Sequence, residues 1–297
     1  MSNRRQIGLI GFGEAAHAFV EGWGDATEAD FSAYDIKVLS SATVSAIQER
    51  CESSSVACSP SNAEAVQGKE AIFSFVTADQ SLSAAEETAL SIEKDAFFFD
   101  CNSCSPGTKR QAAAKIEAAG GRYVDVAVMA PVYPGLNKTP VSICGSHAME
   151  ALEWMQDFDM NPTLVAGDVG VASSTKMVRS IMMKGLEALM MECALAGKRA
   201  GVDEAVLASL DKTYPGFSFK DKATYMAERT MVHGKRRAAE MREVVKTIKE
   251  LGLEGRMAAA TVDWQQEIGD LELNPGEDDY SSRLGTLLKA LDHSKKG

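Results

Sequence analysis

Residues 6–23 read QIGLIGFGEAAHAFVEGW. Ile7, Leu9 and Ile10 make the short apolar run of a buried parallel strand, and residues 14–23 take up helical spacing. Between them Gly11, Gly13 and Ala16 spell G-x-G-x-x-A, where strand hands over to helix. The first glycine permits a tight turn, the second lets backbone approach an anion, and the small third residue lets helix pack on strand. The backbone of Gly11, Phe12, Gly13, Glu14 and Ala15 would then face a pyrophosphate at the helix N-terminus. A second apolar run, DFSAYDI, carries Asp35, 24 positions beyond Gly11 and where an acid meets an adenosine ribose. The stretch therefore predicts a dinucleotide site.

The pattern repeats downstream. Strand-like runs at 6–10, 31–34, 71–76 and 96–100 alternate with helix-like stretches at 14–23, 43–50, 81–92 and 106–119. Such alternation predicts an α/β fold with a doubly wound parallel sheet, ligands collecting at the strand carboxyl ends. GGRYVDVAVMAP and PVSICG add further strands. From about residue 170 the texture becomes helical throughout. SSTKMVRSIMMKGLEALMMECALAGKRAG begins with Ser/Thr cap candidates and stops at Gly201, as one long interdomain helix would. Its methionines, Met177, Met182, Met183, Met190 and Met191, read as adaptable helix packing. Two domains follow: residues 1–167, a Rossmann dinucleotide-binding domain, and 168–297, an all-helical substrate and dimerisation domain.

Charge separates the halves. The net charge is -11, which disfavours nucleic acid as a partner, but residues 1–168 hold 11 Lys+Arg against 23 Asp+Glu while residues 169–297 hold 20 against 19. Groups for a small anionic substrate should come from the second half. The opening residues MSNRRQIGLIGFG lack the apolar core of a secretion signal, and no run reaches the roughly 18 apolar residues of a membrane span, so a cytoplasmic chain without a membrane partner is expected. Cys101-Asn-Ser-Cys104 has the spacing of a redox pair or half a zinc site, but no second C-x-x-C and no nearby His complete a tetrahedral set. No metal is expected.

With these features in place the chain resembles the β-hydroxyacid dehydrogenase family, which includes 3-hydroxyisobutyrate and 6-phosphogluconate dehydrogenases. IGLIGFGEAAHAF is similar to its glycine fingerprint, DCNSCSP to its D-x-S-T-x-x-P, and GDVGVASSTKMVRS to the segment bearing its catalytic lysine. GFGEAA, VDVAVMAPV and HGKRRAAEM look like a divergent 6-phosphogluconate-dehydrogenase-like branch. The resemblance implies NAD, preferred by Asp35, or NADP as cofactor, with Thr77 and Asn102 joining the glycine turn in holding it. It implies Lys176 as the acid/base, and burial of the helical domain's apolar faces in a homodimer or dimer of dimers. Two departures fall at the substrate. Met129 stands where the family has a serine, and Ser180, preceded by Arg179, stands where it has an asparagine.

Arg179 and Ser180 lie three and four positions past Lys176, on one helical face. A lysine beside an arginine in a cleft suits proton exchange with a hydroxyl while hydride leaves the same carbon. Further on, Met241, Val244, Val245, Ile248 and Leu251 form an apolar helical face, and Arg229, His233, Arg236 and Glu240 a second stripe beside it. The substrate set is thus Asn102, Met129, Arg179, Ser180, His233, Arg236 and Arg237. The leading expectation is an NAD(P)-dependent dehydrogenase of a small hydroxy acid, sugar-acid-like or multiply anionic compounds included. The alternatives are an imine or semialdehyde reductase of the same architecture and a non-catalytic NAD(P)-binding scaffold or sensor.

Overall fold

The computed structural model describes residues 4–24 and 28–294. The chain divides into two compact units, residues 1–176 and 177–297.

The first unit is built on one eight-stranded sheet in the order β3-β2-β1-β4-β5-β6-β7-β8. The chain runs β1 (Arg5–Ile10), α1 (Glu14–Trp23), β2 (Ala29–Tyr34), α2 (Val44–Ser53), β3 (Ala57–Cys58), α3 (Asn62–Val66) and β4 (Ala71–Ser74). It continues through α4 (Ser81–Thr88), β5 (Phe97–Asp100), α5 (Pro106–Ala118), β6 (Arg122–Val128), β7 (Val141–Cys144), α6 (Ala148–Asp157) and β8 (Pro162–Leu164). Strands β1 to β6 pair in parallel. Strand order reverses at β1 and β4, the switch point at which doubly wound sheets bind ligands.

Residue pattern explains the burial. Phe97, Phe98 and Phe99 are all buried because helices cover both faces of a parallel sheet. Phe97 and Phe99 pack with Phe73, Trp154 and Phe158 on one face, while Phe98 joins Ile72, Ile116 and Tyr123 on the other. The far edge of the sheet is not parallel throughout. β7 pairs antiparallel with β6, and β8 follows β7 in parallel through α6. The link from β6 to β7 contains only a 3-10 turn at Leu136–Lys138, and a parallel return normally needs a helical crossover. The helices α3 and α6 lie outside the helix-like stretches that the sequence pattern marks.

The helix α7 (Val171–Ala200) crosses the division between units and ends at Gly201, whose φ of 71° suits a glycine C-terminal turn. Beyond it the second unit contains α8 (Asp203–Thr213), α9 (Phe219–Glu250), α10 (Arg256–Asp270) and α11 (Tyr280–Ser294). Its core joins Met190, Met191, Leu195, Met226, Ile268 and Leu284. A neighbouring cluster joins Met177, Met241, Val244, Ile248 and Ala258. Two expectations are corrected here: Met182 and Met183 are exposed rather than packed, and Leu251 is exposed at the end of the apolar stripe. α9 and α10 meet backbone to backbone at Gly234 and Gly269, where a Cβ on Gly234 would stand 2.7 Å from the Gly269 Cα.

Candidate active site

The glycine turn lies at the carboxyl end of β1, at the switch point. Gly11 has φ of 83°, and a Cβ there would stand 2.7 Å from the Phe75 carbonyl oxygen, so only glycine fits. Gly13 differs: a Cβ there would meet nothing within 4 Å. Open space over backbone that begins α1 is the cradle a pyrophosphate requires, since the first amides of a helix lack intrahelical acceptors. Ala16 is fully buried where a helix packs closely on its strand. Glu14 and Ala15 lie in the first turn, Glu14 with an exposed side chain. Phe12 departs from the sequence reading in part: its ring is buried in the core and its amide donates to Asp35 Oδ2 at 2.9 Å.

That bond fixes Asp35 beside the turn. Asp35 Oδ1 also accepts from the Lys37 amide at 3.0 Å, and Arg50 Nη1 donates to the Phe12 carbonyl at 2.8 Å. A carboxylate so held at the end of β2 has lone pairs left for a ribose diol. Thr77 lies past β4 and is exposed. These features together fit a dinucleotide.

The second part of the site is at the carboxyl end of β5. Asn102 is buried, donates through Nδ2 to Ser74 Oγ at 2.9 Å and Ser81 Oγ at 3.3 Å, and leaves Oδ1 with no protein partner. Ser103 is half-buried and accepts from Lys176 Nζ at 2.6 Å. The structure thereby brings the sequence-predicted Asn102 and Lys176 to one loop. Met129 is half-buried and packs with Ala127, Cys144 and Ala172, just past the end of β6.

Beneath lies a buried ionic network that sequence reasoning missed. Lys109 Nζ is 3.0 Å from Asp100 Oδ1 and 3.4 Å from Asp125 Oδ1, all three side chains being wholly buried. Burial alone would lower the Lys109 amine, but the two carboxylates outweigh it and hold the amine well above its usual range. Tyr123 donates to Asp100 Oδ2 at 2.7 Å, and burial with that carboxylate pushes the phenol well above its ordinary value. Asp125 Oδ2 accepts from the Gly170 amide at 3.0 Å and the Ser173 amide at 3.2 Å, at the start of α7. The signal was an acid inside the apolar run RYVDVAV, a position that a buried strand fills with charge only when it is paired.

In the helical unit the candidates separate. Arg179 is exposed, whereas Ser180 is buried and accepts from Lys184 Nζ at 3.3 Å. Arg236 is exposed, and His233 is half-buried, with burial and then Arg229 and Arg236 holding its imidazole below the usual value. Arg237 is corrected: it is buried and pairs in bidentate fashion with Glu187, with Nε to Oε2 at 2.9 Å, so its guanidinium is committed within the unit. The substrate set joined it to Arg236, its neighbour in HGKRRAAEM, but one residue rotates a helix by about 100°, which turns one arginine out and its neighbour in.

Cys101 and Cys104 are both buried and form no disulfide, Cys104 Sγ donates to Ser81 Oγ at 3.3 Å, and burial raises the Cys101 thiol. Among the described residues no group of three or more His, Cys, Asp or Glu side chains is arranged to hold a metal ion.

Comparison with known proteins places this geometry. Residues 6–102 match the family described as coenzyme F420-dependent NADP oxidoreductase, and residues 198–268 match a domain of unknown function, DUF1932. A conserved hypothetical protein from Sinorhizobium meliloti is 34% identical, with a TM-score of 0.77 over 97% of each chain. A second conserved protein of unknown function, described as structurally similar to 3-hydroxyacid dehydrogenases, is 26% identical over 89% of this chain and 97% of its own, with a TM-score of 0.67. The 3-hydroxyisobutyrate dehydrogenase of Mycobacterium tuberculosis shares the fold at 12% identity, with a TM-score of 0.72 over 95% of this chain and 99% of that one. The chain belongs to the family of the Sinorhizobium meliloti protein, and its architecture, a Rossmann NAD(P)-binding unit followed by a helical unit, is that of the β-hydroxyacid dehydrogenases.

Proposed function

We propose that this protein is an NAD(P)-dependent dehydrogenase that oxidises a small hydroxy acid, with Lys176 exchanging the hydroxyl proton. The observation that carries the reading is the Lys176 Nζ to Ser103 Oγ hydrogen bond of 2.6 Å, beside the buried Asn102 and past the end of a Rossmann strand. A dinucleotide held on the glycine turn would supply the hydride acceptor. The hydroxyl-bearing carbon gives up its hydrogen with the bonding pair, its oxygen gives up a proton to Lys176 Nζ, and the C–O single bond becomes a carbonyl. Ser103 orients the amine, and the unpartnered Asn102 Oδ1 is an acceptor for a polar group at that end of the site. On the helical unit, the exposed Arg179 and Arg236 and the half-buried His233 are the anion-binding candidates.

Asp35 favours NAD in this reading, since a carboxylate beside the ribose repels a 2'-phosphate. One observation supports a second reading, an imine or semialdehyde reductase: the thioether of Met129, packed on Ala127, Cys144 and Ala172, offers no hydroxyl to hold a substrate carboxylate. A single screen tests both. NAD+ and NADP+ reduction is followed with 3-hydroxyalkanoic, aldonic and phosphorylated acids, and NADH and NADPH oxidation with cyclic imines and semialdehydes. Turnover of a hydroxy acid with higher kcat/KM for NAD+ is the expected result. Turnover with imines alone selects the reductase, and tight dinucleotide binding with no turnover in any arm overturns both in favour of a binding protein.

A further inference from the structure

We propose that Asp125, locked through Lys109 to Asp100, is a positioning residue that clamps the start of α7 to the sheet and so fixes Lys176 against Ser103. The functional weight of the clamp rests on the reading of Lys176 as the proton acceptor.

The two partners of the Lys176–Ser103 bond come from different segments, the loop after β5 and the first turns of α7. Each segment is tied to its own buried carboxylate. Asp100 Oδ1 accepts from the Asn102 amide at 3.0 Å, next to Ser103. Asp125 takes the Gly170 and Ser173 amides through Oδ2, at 3.0 and 3.2 Å, and the Ser173 hydroxyl through Oδ1 at 2.6 Å. Lys109 Nζ bridges the two carboxylates at 3.0 and 3.4 Å. One cation therefore joins the supports of both halves of the pair.

This is not an ordinary helix cap. A capping side chain usually precedes its helix directly in sequence, and its energy holds the helix together. Here the acceptor is on β6, 45 residues before Gly170, so it fixes where α7 begins relative to the sheet. Gly170 reinforces the seat: its φ is 106°, and a Cβ there would stand 3.1 Å from Pro106 at the start of α5. Two carboxylates on one ammonium leave a residual negative charge, which the partial positive charge of the α7 N-terminus balances. An asparagine at 125 would keep the shape but supply a weaker acceptor and leave Lys109 with one carboxylate.

The test uses the full chain and does not depend on turnover. Amide hydrogen exchange is read by mass spectrometry over residues 168–178, and acylation of the Lys176 amine by an N-hydroxysuccinimide ester is quantified against the exposed Lys94. Asp125→Asn should raise exchange over 170–177 and Lys176 labelling by at least about fivefold, the loss of one net hydrogen bond, and labelling should match that of Ser103→Ala. Ser173→Ala, which removes one bond and keeps the carboxylate, should give a smaller rise in the same place and guards against an Asp125→Asn chain that fails to fold. Where a hydroxy acid turns over, Asp125→Asn should lower kcat with KM and dinucleotide Kd nearly unchanged. Wild-type exchange and labelling in both variants, or a rise spread evenly over the sheet and Lys94, overturns the clamp. A fully active Lys176→Ala enzyme instead overturns the role of the lysine while exchange and labelling still decide the clamp.

Discussion

Gly11 and Gly13 occupy one motif yet answer to different constraints. At Gly11 the backbone is left-handed and the Phe75 carbonyl closes off a side chain, so Gly11→Ala should destabilise the fold by about 1–3 kcal/mol or more, read as a lower urea midpoint. At Gly13 φ is -88° and no protein atom lies within 4 Å of a Cβ, so Gly13→Ala should stay within about 1 kcal/mol of the parent protein. Its effect should fall on the ligand instead. NADH titration by fluorescence should show affinity at least about tenfold weaker, since a methyl group would stand where the backbone approaches the pyrophosphate. Unchanged NADH affinity in Gly13→Ala would remove the pyrophosphate from this turn. Spacing makes both glycines legible but not the difference between them, because Phe75 comes from the chain after β4. Arg237 shows the same limit: its partner Glu187 is 50 residues away on another helix.

At the scale of elements, β5, β6 and α5 are legible as apolar runs and a helix, whereas their shared charge is not. Nothing in the helical spacing of 106–119 marks Lys109, and only the folded register brings it to Asp100 and Asp125. The direction of β7 was equally hidden, since a run such as PVSICG has the same pattern in either orientation. The network predicts a pH dependence. Lys109 and Tyr123 both hold their protons more tightly folded than unfolded. The folded state therefore binds more protons above the ordinary tyrosine and lysine values of about 10 and 10.4, and stability present below them is lost as pH rises. Urea midpoints should be level from about pH 8 to 9 and fall above about pH 10. Tyr123→Phe should lower the neutral midpoint, since Asp100 loses a donor, and flatten the alkaline fall. A midpoint level to about pH 11 would contradict this account of the network.

At the scale of the molecule, the helical unit exposes large apolar side chains that a small helical body does not cover. Val178, Met182 and Leu189 share one stripe of α7, and Tyr225 and Val232 are exposed on α9. We infer that a second copy of the chain covers them, in a homodimer or a dimer of dimers, because closed symmetric pairing is the common way to bury such faces. Light scattering at micromolar concentration should give at least twice the 31.8 kDa chain mass, and a strictly monomeric mass would end the inference. No helix among the described residues is long and apolar enough to cross a membrane. Whether the lysine drives a dehydrogenase reaction is read from the steady-state kcat of Lys176→Ala with the hydroxy acid that the parent enzyme turns over, alongside NADH affinity. The variant should show kcat lower by about 100-fold or more, the range for a lost general base, and unchanged affinity, because the glycine turn is intact. A variant with parental kcat would contradict it.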